Sequence, residues 1–292
     1  MRNEQNRKRA FEAAIHGIFL ALGLITVGSV LLITAYLVIS GIPAIGRIGV
    51  ADFLLGRTWE STAAEPSFGI LPFILSSVYG TAGAILVGVP VGFLTAVYLS
   101  KVAPARVRTV MGEAVSLLAG IPSVVYGLVG MLVLVPAIRS VFHVPDGASL
   151  LAAIAVLAVM VLPGIVKVSM TALEAVPKEY EDASLALGAT PTETWFRVSV
   201  PAAKSGVAAA VVLGVGRAIG EAMAVMMVSG NAPNMPELFQ SVRFLTTAVA
   251  SEMSYSSGLQ RQALFSIALV LYLFIMLINA ALNLFLKRGR EK

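Results

Sequence analysis

No cysteine occurs among the 292 residues of this chain, which excludes disulfides and thiolate metal sites and leaves the redox compartment unreadable. Charge is scarce as well: 13% of residues are Asp, Glu, Lys or Arg, against about 25% in soluble domains. The two histidines, His16 at the head of an apolar run and His143 in a polar stretch, are isolated, and interface positions suit them better than ligation or general-base work. A phosphate loop is missing. The one Lys-Ser pair, Lys204-Ser205, follows Pro201-Ala202-Ala203 rather than a glycine-rich turn, so ATP must be bound by another polypeptide. A catalytic Ser/His set, paired intramembrane aspartates and a His-Glu-x-x-His motif are absent too, which argues against an intramembrane protease.

What is present is apolar: 58% of the residues are hydrophobic and the mean hydropathy is +0.88. Crossing a bilayer takes about 20 apolar residues. Runs of that length lie at about Ile15 to Ile39, Ile70 to Leu99, Ala114 to Ile138, Ala148 to Val166, Gly206 to Val228 and Ala263 to Leu286. The expectation is an all-α, polytopic membrane protein with six transmembrane helices and one membrane domain over residues 1–292. The first run is longer than the core of a signal peptide and has no small-residue cleavage site, so it reads as a retained helix.

The net charge of +5 reflects orientation rather than an acidic partner. With the N-terminus in the cytoplasm, the inner side collects Arg2, Arg7, Lys8, Arg9, Lys101, Arg106, Arg108, Lys167, Lys178, Arg197, Lys204, Lys287, Arg288, Arg290 and Lys292. The outer side holds Arg47, Arg57, Arg139, Arg243 and Arg261. This bias places both termini in the cytoplasm. Arg217 alone falls inside the membrane. The large inner loop spans about 167–205; the last outer loop, 229–262, opens with Asn231, Pro233 and Pro236, which block a continuous helix.

The inner loop carries its own helix signals. Pro177 suits a first helical position, Glu179, Glu181 and Asp182 load the first turns with acid, and Gly188 terminates. Thr190-Pro191-Thr192-Glu193 is a capping box that starts a second short helix. Tyr180, Ala183 and Leu187 share one face of the first. A helix this short is marginal in water, so the face packs either on the chain's own helix ends or in a partner's groove. The spacing Asp182-Ala183-Ser184, three residues, Gly188, nine residues, Val198-Ser199-Val200-Pro201 resembles the EAA...G...I-x-L-P loop of ABC importer permeases, with Asp182 for Glu and Ser184 for Ala as departures. The resemblance implies a type I importer permease fold, docking on a separate ATPase through Tyr180, Asp182, Ala183, Leu187, Gly188 and Pro201, and ATP and Mg on that ATPase with no cofactor on this chain.

Arg217-Ala218-Ile219-Gly220-Glu221 places a cation roughly 17 Å into the fifth span at ~1.5 Å per residue. The i, i+4 spacing puts both charges on one helix face. Burial in lipid costs each at least about 2.5 to 3.5 kcal/mol. The pair is therefore either a self-neutralising packing device or an anion site, where the planar guanidinium suits tetrahedral oxyanions. In the third span Pro122 predicts a kink, either a packing device or a pore-facing bend with Ser123 and Tyr126 as neutral donors on the path, and Glu113 caps the span's start. Gly83, Gly88 and Gly92 predict close helix contact in the second span, and Met223, Met226 and Met227 predict adaptable packing.

The run from Arg217 through Glu221 to Asn231, with Ala119-Gly120-Ile121-Pro122-Ser123-Val124-Val125-Tyr126-Gly127 and Phe68-Gly69-Ile70-Leu71-Pro72, resembles the permeases of the phosphate-specific transport system, the C rather than the A subunit. That resemblance implies phosphate import across a bacterial cytoplasmic (inner) membrane. It also implies a heterodimer with a second homologous permease, two ATP-binding cassette subunits and an extracytoplasmic phosphate-binding protein. A permease for sulfate or molybdate, and a stand-alone anion transporter or channel, are the alternatives.

Overall fold

The computed structural model describes residues 2–290. The side chains of the terminal basic residues Arg2, Arg7, Lys8, Arg9, Lys287, Arg288 and Arg290, and Lys292 altogether, lie outside the described residues. The chain is helical apart from a two-stranded hairpin, β1 (Trp59–Glu60) paired antiparallel with β2 (Ser67–Phe68). Helices long and apolar enough to cross a membrane are Phe11–Ile48, Leu71–Val102, Ser123–Phe142, Leu150–Glu174 and Gly258–Leu282. Among the described residues a sixth span arises when Pro191–Ala202 and the 17-residue Lys204–Gly220, bent by 71° where they meet, are counted as one. The helical, six-span expectation holds, with differences in where the helices break.

We number the helices α1 (Arg2–Ile48), α2 (Val50–Leu55), α3 (Leu71–Val97), α4 (Ala105–Gly120), α5 (Ser123–Val129), α6 (Val135–Phe142), α7 (Leu150–Glu174), α8 (Lys178–Ala186), α9 (Pro191–Thr194), α10 (Val200–Ala202), α11 (Lys204–Gly220), α12 (Met223–Val228), α13 (Leu245–Glu252) and α14 (Gly258–Arg290). The core is built on α7. Glycines of α3 form the groove it fills: a Cβ on Gly83, Gly88 or Gly92 would lie 2.7, 2.8 or 2.9 Å from Ile154, Val161 or Ile165. With no hydrophobic drive between helices in lipid, such close approach supplies the packing energy. The first helix, α1, packs against α14, where Ser266 Oγ donates to the Gly41 carbonyl at 2.6 Å and Tyr36 meets Phe265 edge-on at 5.4 Å. Its other faces expose Leu, Ile and Val side chains, as a lipid-facing helix does.

Three expectations change. The third span does not start near Ala114: α4 begins after Pro104 and ends at Gly120, and the long apolar helix starts only at Ser123. Glu113 is therefore mid-helix rather than a cap, because the N-terminus that a carboxylate would serve lies eight residues earlier, at Ala105. The fifth span breaks after Gly220. The last outer segment, expected to be loop, contains α13. Arg243, placed on the outer side by the charge bias, is largely buried in this segment: it pairs with Glu252 and donates from Nε to the Asn231 carbonyl at 2.9 Å. Glu252 also accepts from Trp59 Nε1 at 3.2 Å, Ser61 Oγ at 3.3 Å and Gln260 Nε2 at 3.1 Å. This cluster ties the β1–β2 hairpin to α13 and α14.

Candidate functional site

Two membrane helices are unwound beside each other. After α4, Ile121 (ψ 128°) and Pro122 (ψ 141°) are extended, because proline offers no N–H and forces its predecessor out of the helical region. After α11, Glu221 is extended (ψ 129°) and α12 restarts at Met223. The restarted halves pack together through Gly127, whose added Cβ would lie 2.8 Å from Ala224 Cα. Irregular backbone at membrane depth persists only where protein or a water-filled path satisfies it, and paired broken helices are a frequent setting for solute sites in transporters.

Side chains close both gaps. Tyr126 Oη donates to the Leu118 carbonyl at 2.7 Å across the first. At the second, Glu221 Oε1 accepts from the Ala224 N–H at 3.0 Å and the Glu221 carbonyl accepts from Thr246 Oγ1 at 2.7 Å. Tyr126 thus spends its proton on backbone, whereas Ser123, half-buried at the start of α5, has no side-chain partner among the described residues. The expectation that Arg217 and Glu221 share one helix face is overturned. That geometry needs a continuous helix, and here Glu221 has left α11 to cap α12. None of the ion pairs among the described residues includes Arg217. The self-neutralising pair is therefore absent. Arg217 is half-buried in the last turn of α11, where the helix carbonyls favour a cation.

The inner loop folds as two short helices meeting at a glycine corner. Pro177 is the N-cap of α8, one position before the expected place, and Leu187 its C-cap. Gly188 has φ +88°, with its N–H on the Leu185 carbonyl at 2.9 Å and the Ala189 N–H on Ser184 at 3.3 Å, the Schellman closure that favours glycine. The capping box forms as expected: Glu193 N donates to Thr190 Oγ1 at 3.3 Å and Thr190 N to Glu193 Oε2 at 3.1 Å. From Pro191 the chain stays helical through a π turn at Trp195–Ser199 to Ala202. Tyr180 (56% exposed), Asp182, Ala183, Leu187 (90% exposed), Gly188 and Pro201 all face outward. The chain's own helix ends leave this face bare.

The opposite face does the anchoring, through Glu181 and Thr194, which lie outside the motif spacing, and Ser184 and Ser199, which lie within it. Glu181 accepts from Lys101, at the end of the second span, and from Ser199 Oγ at 2.8 Å. Ser184, the departure from the motif's second alanine, is paired with Thr194 at 2.9 Å, which locks α8 to α9. The recoverable signal was acid at 181 and hydroxyls at 184, 194 and 199. Partial burial pushes the Glu181 carboxyl up, but the hydrogen bonds from Lys101 and Ser199 and the charges of Lys101 and Lys178 outweigh it and hold it below the ordinary glutamate value. A lowered carboxyl contributes its full stability above the unfolded value of about 4.3 and loses it as pH falls through the folded value. With Trp59→Phe leaving Trp195 as the sole tryptophan, loop fluorescence in the purified chain should stay constant from pH 7 to about 5 and change only below about 4. Glu181→Gln should already show the low-pH signal at pH 7; identical spectra at pH 7 would refute the anchor.

Comparison with known proteins shows the family and the fold. Residues 88–291 match the family model described as the binding-protein-dependent transport system inner membrane component. The chain is 39% identical to the probable ABC transporter permease protein YqgH of Bacillus subtilis, over 89% of this chain and 87% of that one. It is 32% identical to the phosphate transport system permease protein PstC of Pasteurella multocida, over 82% and 81%. Its fold is similar to a permease chain of the MetNI methionine ABC transporter in an inward-facing conformation (TM-score 0.60, 19% identity, 75% of this chain and 97% of that chain). A bacterial alginate ABC transporter is also similar (TM-score 0.62, 15% identity, 92% of each chain). The chain belongs to the binding-protein-dependent transport system inner membrane components and is PstC-like: a multi-pass, non-catalytic permease subunit of a bacterial ABC importer.

Proposed function

We propose that this subunit carries inorganic phosphate inward across the bacterial cytoplasmic membrane, both termini cytoplasmic, by alternating access driven by a separate ATPase. The observation that carries this reading is Arg217: a half-buried cation, unpaired among the described residues, beside two unwound helices. A lone charge at membrane depth costs at least about 2.5 kcal/mol on insertion scales, and a passing anion offsets that cost. The names of the PstC relatives support phosphate as that anion. The partners in this reading are a second, homologous permease, two ATP-binding cassette subunits holding ATP and Mg, and an extracytoplasmic phosphate-binding protein. Tyr180, Asp182, Ala183, Leu187, Gly188 and Pro201 form the ATPase contact, and Ser123, with Tyr126 once released from Leu118, gives neutral donors.

Glu221 confers selectivity. One of its oxygens caps α12, and the other has no partner among the described residues, so it accepts a hydrogen bond from the P–OH group that sulfate lacks. A site built around a hydrogen bond rejects analogues that cannot make it by orders of magnitude. In vesicles holding the purified complex, labelled phosphate uptake should require ATP and resist excess sulfate. Glu221→Gln should lose that resistance by at least about tenfold while retaining ATP dependence. ATP-independent uptake would overturn the importer reading, and unchanged sulfate competition the role of Glu221.

A further inference from the structure

The helix α13, which divides the last outer segment, is fixed at both ends by contacts that do not involve the anion path. At its start the Leu245 N–H donates to Ser77 Oγ of α3 at 3.0 Å and the Phe244 N–H to Thr247 Oγ1 at 2.9 Å. The Phe244 ring fills the notch left by Gly80, 2.4 Å from where a Cβ would stand. At its end Glu252 is held by Arg243, Trp59, Ser61 and Gln260. Between these anchors the buried Thr246 hydroxyl donates to the Glu221 carbonyl of the broken fifth helix at 2.7 Å.

That carbonyl is exposed to loss. A helix leaves its last four C=O groups without intrahelical partners, and at the end of α11 the Glu221 N–H makes only a long 3.5 Å contact to Ala218. The Glu221 carboxylate caps α12 through the Ala224 N–H, and the Thr246 hydroxyl ties the same unwound backbone, which also carries the last turn bearing Arg217, to a separate helix. We propose that Thr246 is a positioning residue for the anion site, setting the unwound Glu221 backbone against the rigid α13. This rests on the reading of Arg217 and Glu221 as the solute path. Thr246 itself touches no solute. Its removal leaves a part-buried carbonyl without this partner and lets the break open about tenfold more often, the shift expected for one lost hydrogen bond of this kind.

Because the chain lacks cysteine, Ala222→Cys supplies a unique reporter at the break. In the assembled complex in vesicles, maleimide labelling of this subunit is followed with Thr246, Thr246→Val and Thr246→Ser, and phosphate uptake kinetics are measured for the same three without the reporter. The valine variant, matched in shape, should label about tenfold faster and raise KM for phosphate more than it lowers kcat, and serine should restore both. If the valine complex does not assemble, Thr246→Ala is read the same way. A labelling rate and KM unchanged by loss of the hydroxyl would overturn the proposal while phosphate uptake by the parent stands. Faster labelling in a complex whose parent moves no phosphate would instead sink the phosphate reading and leave the positioning role intact.

Discussion

Arg217→Ala is expected to cut ATP-driven phosphate uptake about a hundredfold, the loss of one or two charge-assisted hydrogen bonds to an oxyanion at about 1.5–3 kcal/mol each. Assembly should be undisturbed. In most buried sites deleting a charge strands its partner and costs several kcal/mol of stability, but here no partner is present among the described residues, and removal relieves an insertion cost instead. Arg217→Lys separates charge from shape: it keeps the cation but loses the planar fork that grips two oxygens at once, so uptake should fall between the two. The measurements are labelled phosphate uptake in vesicles and size-exclusion elution of the complex. Wild-type uptake by the alanine variant would remove Arg217 from the path; a failure to assemble would return it to a packing role.

The sequence made the spans readable because each is a run of apolar residues, and the inner loop readable because proline, capping box and glycine act through local backbone chemistry. Those signals need no knowledge of what lies across the fold. The break at Pro122 was visible as a kink for the same reason, though not its size. Its counterpart after Gly220 was not visible. Glycine and glutamate are tolerated in helices, and one contact at the break is distant in sequence: Thr246, 25 positions on, donates to the freed carbonyl. Treating the fifth span as continuous led to an Arg217–Glu221 pair that the geometry does not make. Arg243 shows the same limit, since its partner Glu252 and their shared neighbour Trp59 come together only in three dimensions. Glu181 is legible in the sequence only as acid in a first helical turn; its anchoring partners Lys101 and Ser199 are distant in the chain, while Asp182 of the family spacing faces outward.

Gly188→Val should insert and fold across the membrane as the parent does, yet lose most ATP-coupled transport, at least about tenfold. The backbone argument sets that scale: at φ +88° an L-residue costs about 1–2 kcal/mol, more when β-branched, and the loop can recover it by unwinding the last turn of α8. No atom lies within 4 Å of a Cβ at this corner, so a clash inside the chain does not enter. That leaves two separable effects. Gly188→Asn adds bulk but tolerates the left-handed region, whereas valine adds bulk and opposes it. If conformation governs, asparagine should retain most activity; if the corner is pressed into a partner's groove, both should fail alike, and both outcomes require the corner to act through the ATPase. Co-purification of the ATPase and its stimulated hydrolysis distinguish them. A valine variant that binds the ATPase and couples normally would show the corner to be dispensable, and with it the exposed face running from Tyr180 to Leu187 would lose its role as the docking surface.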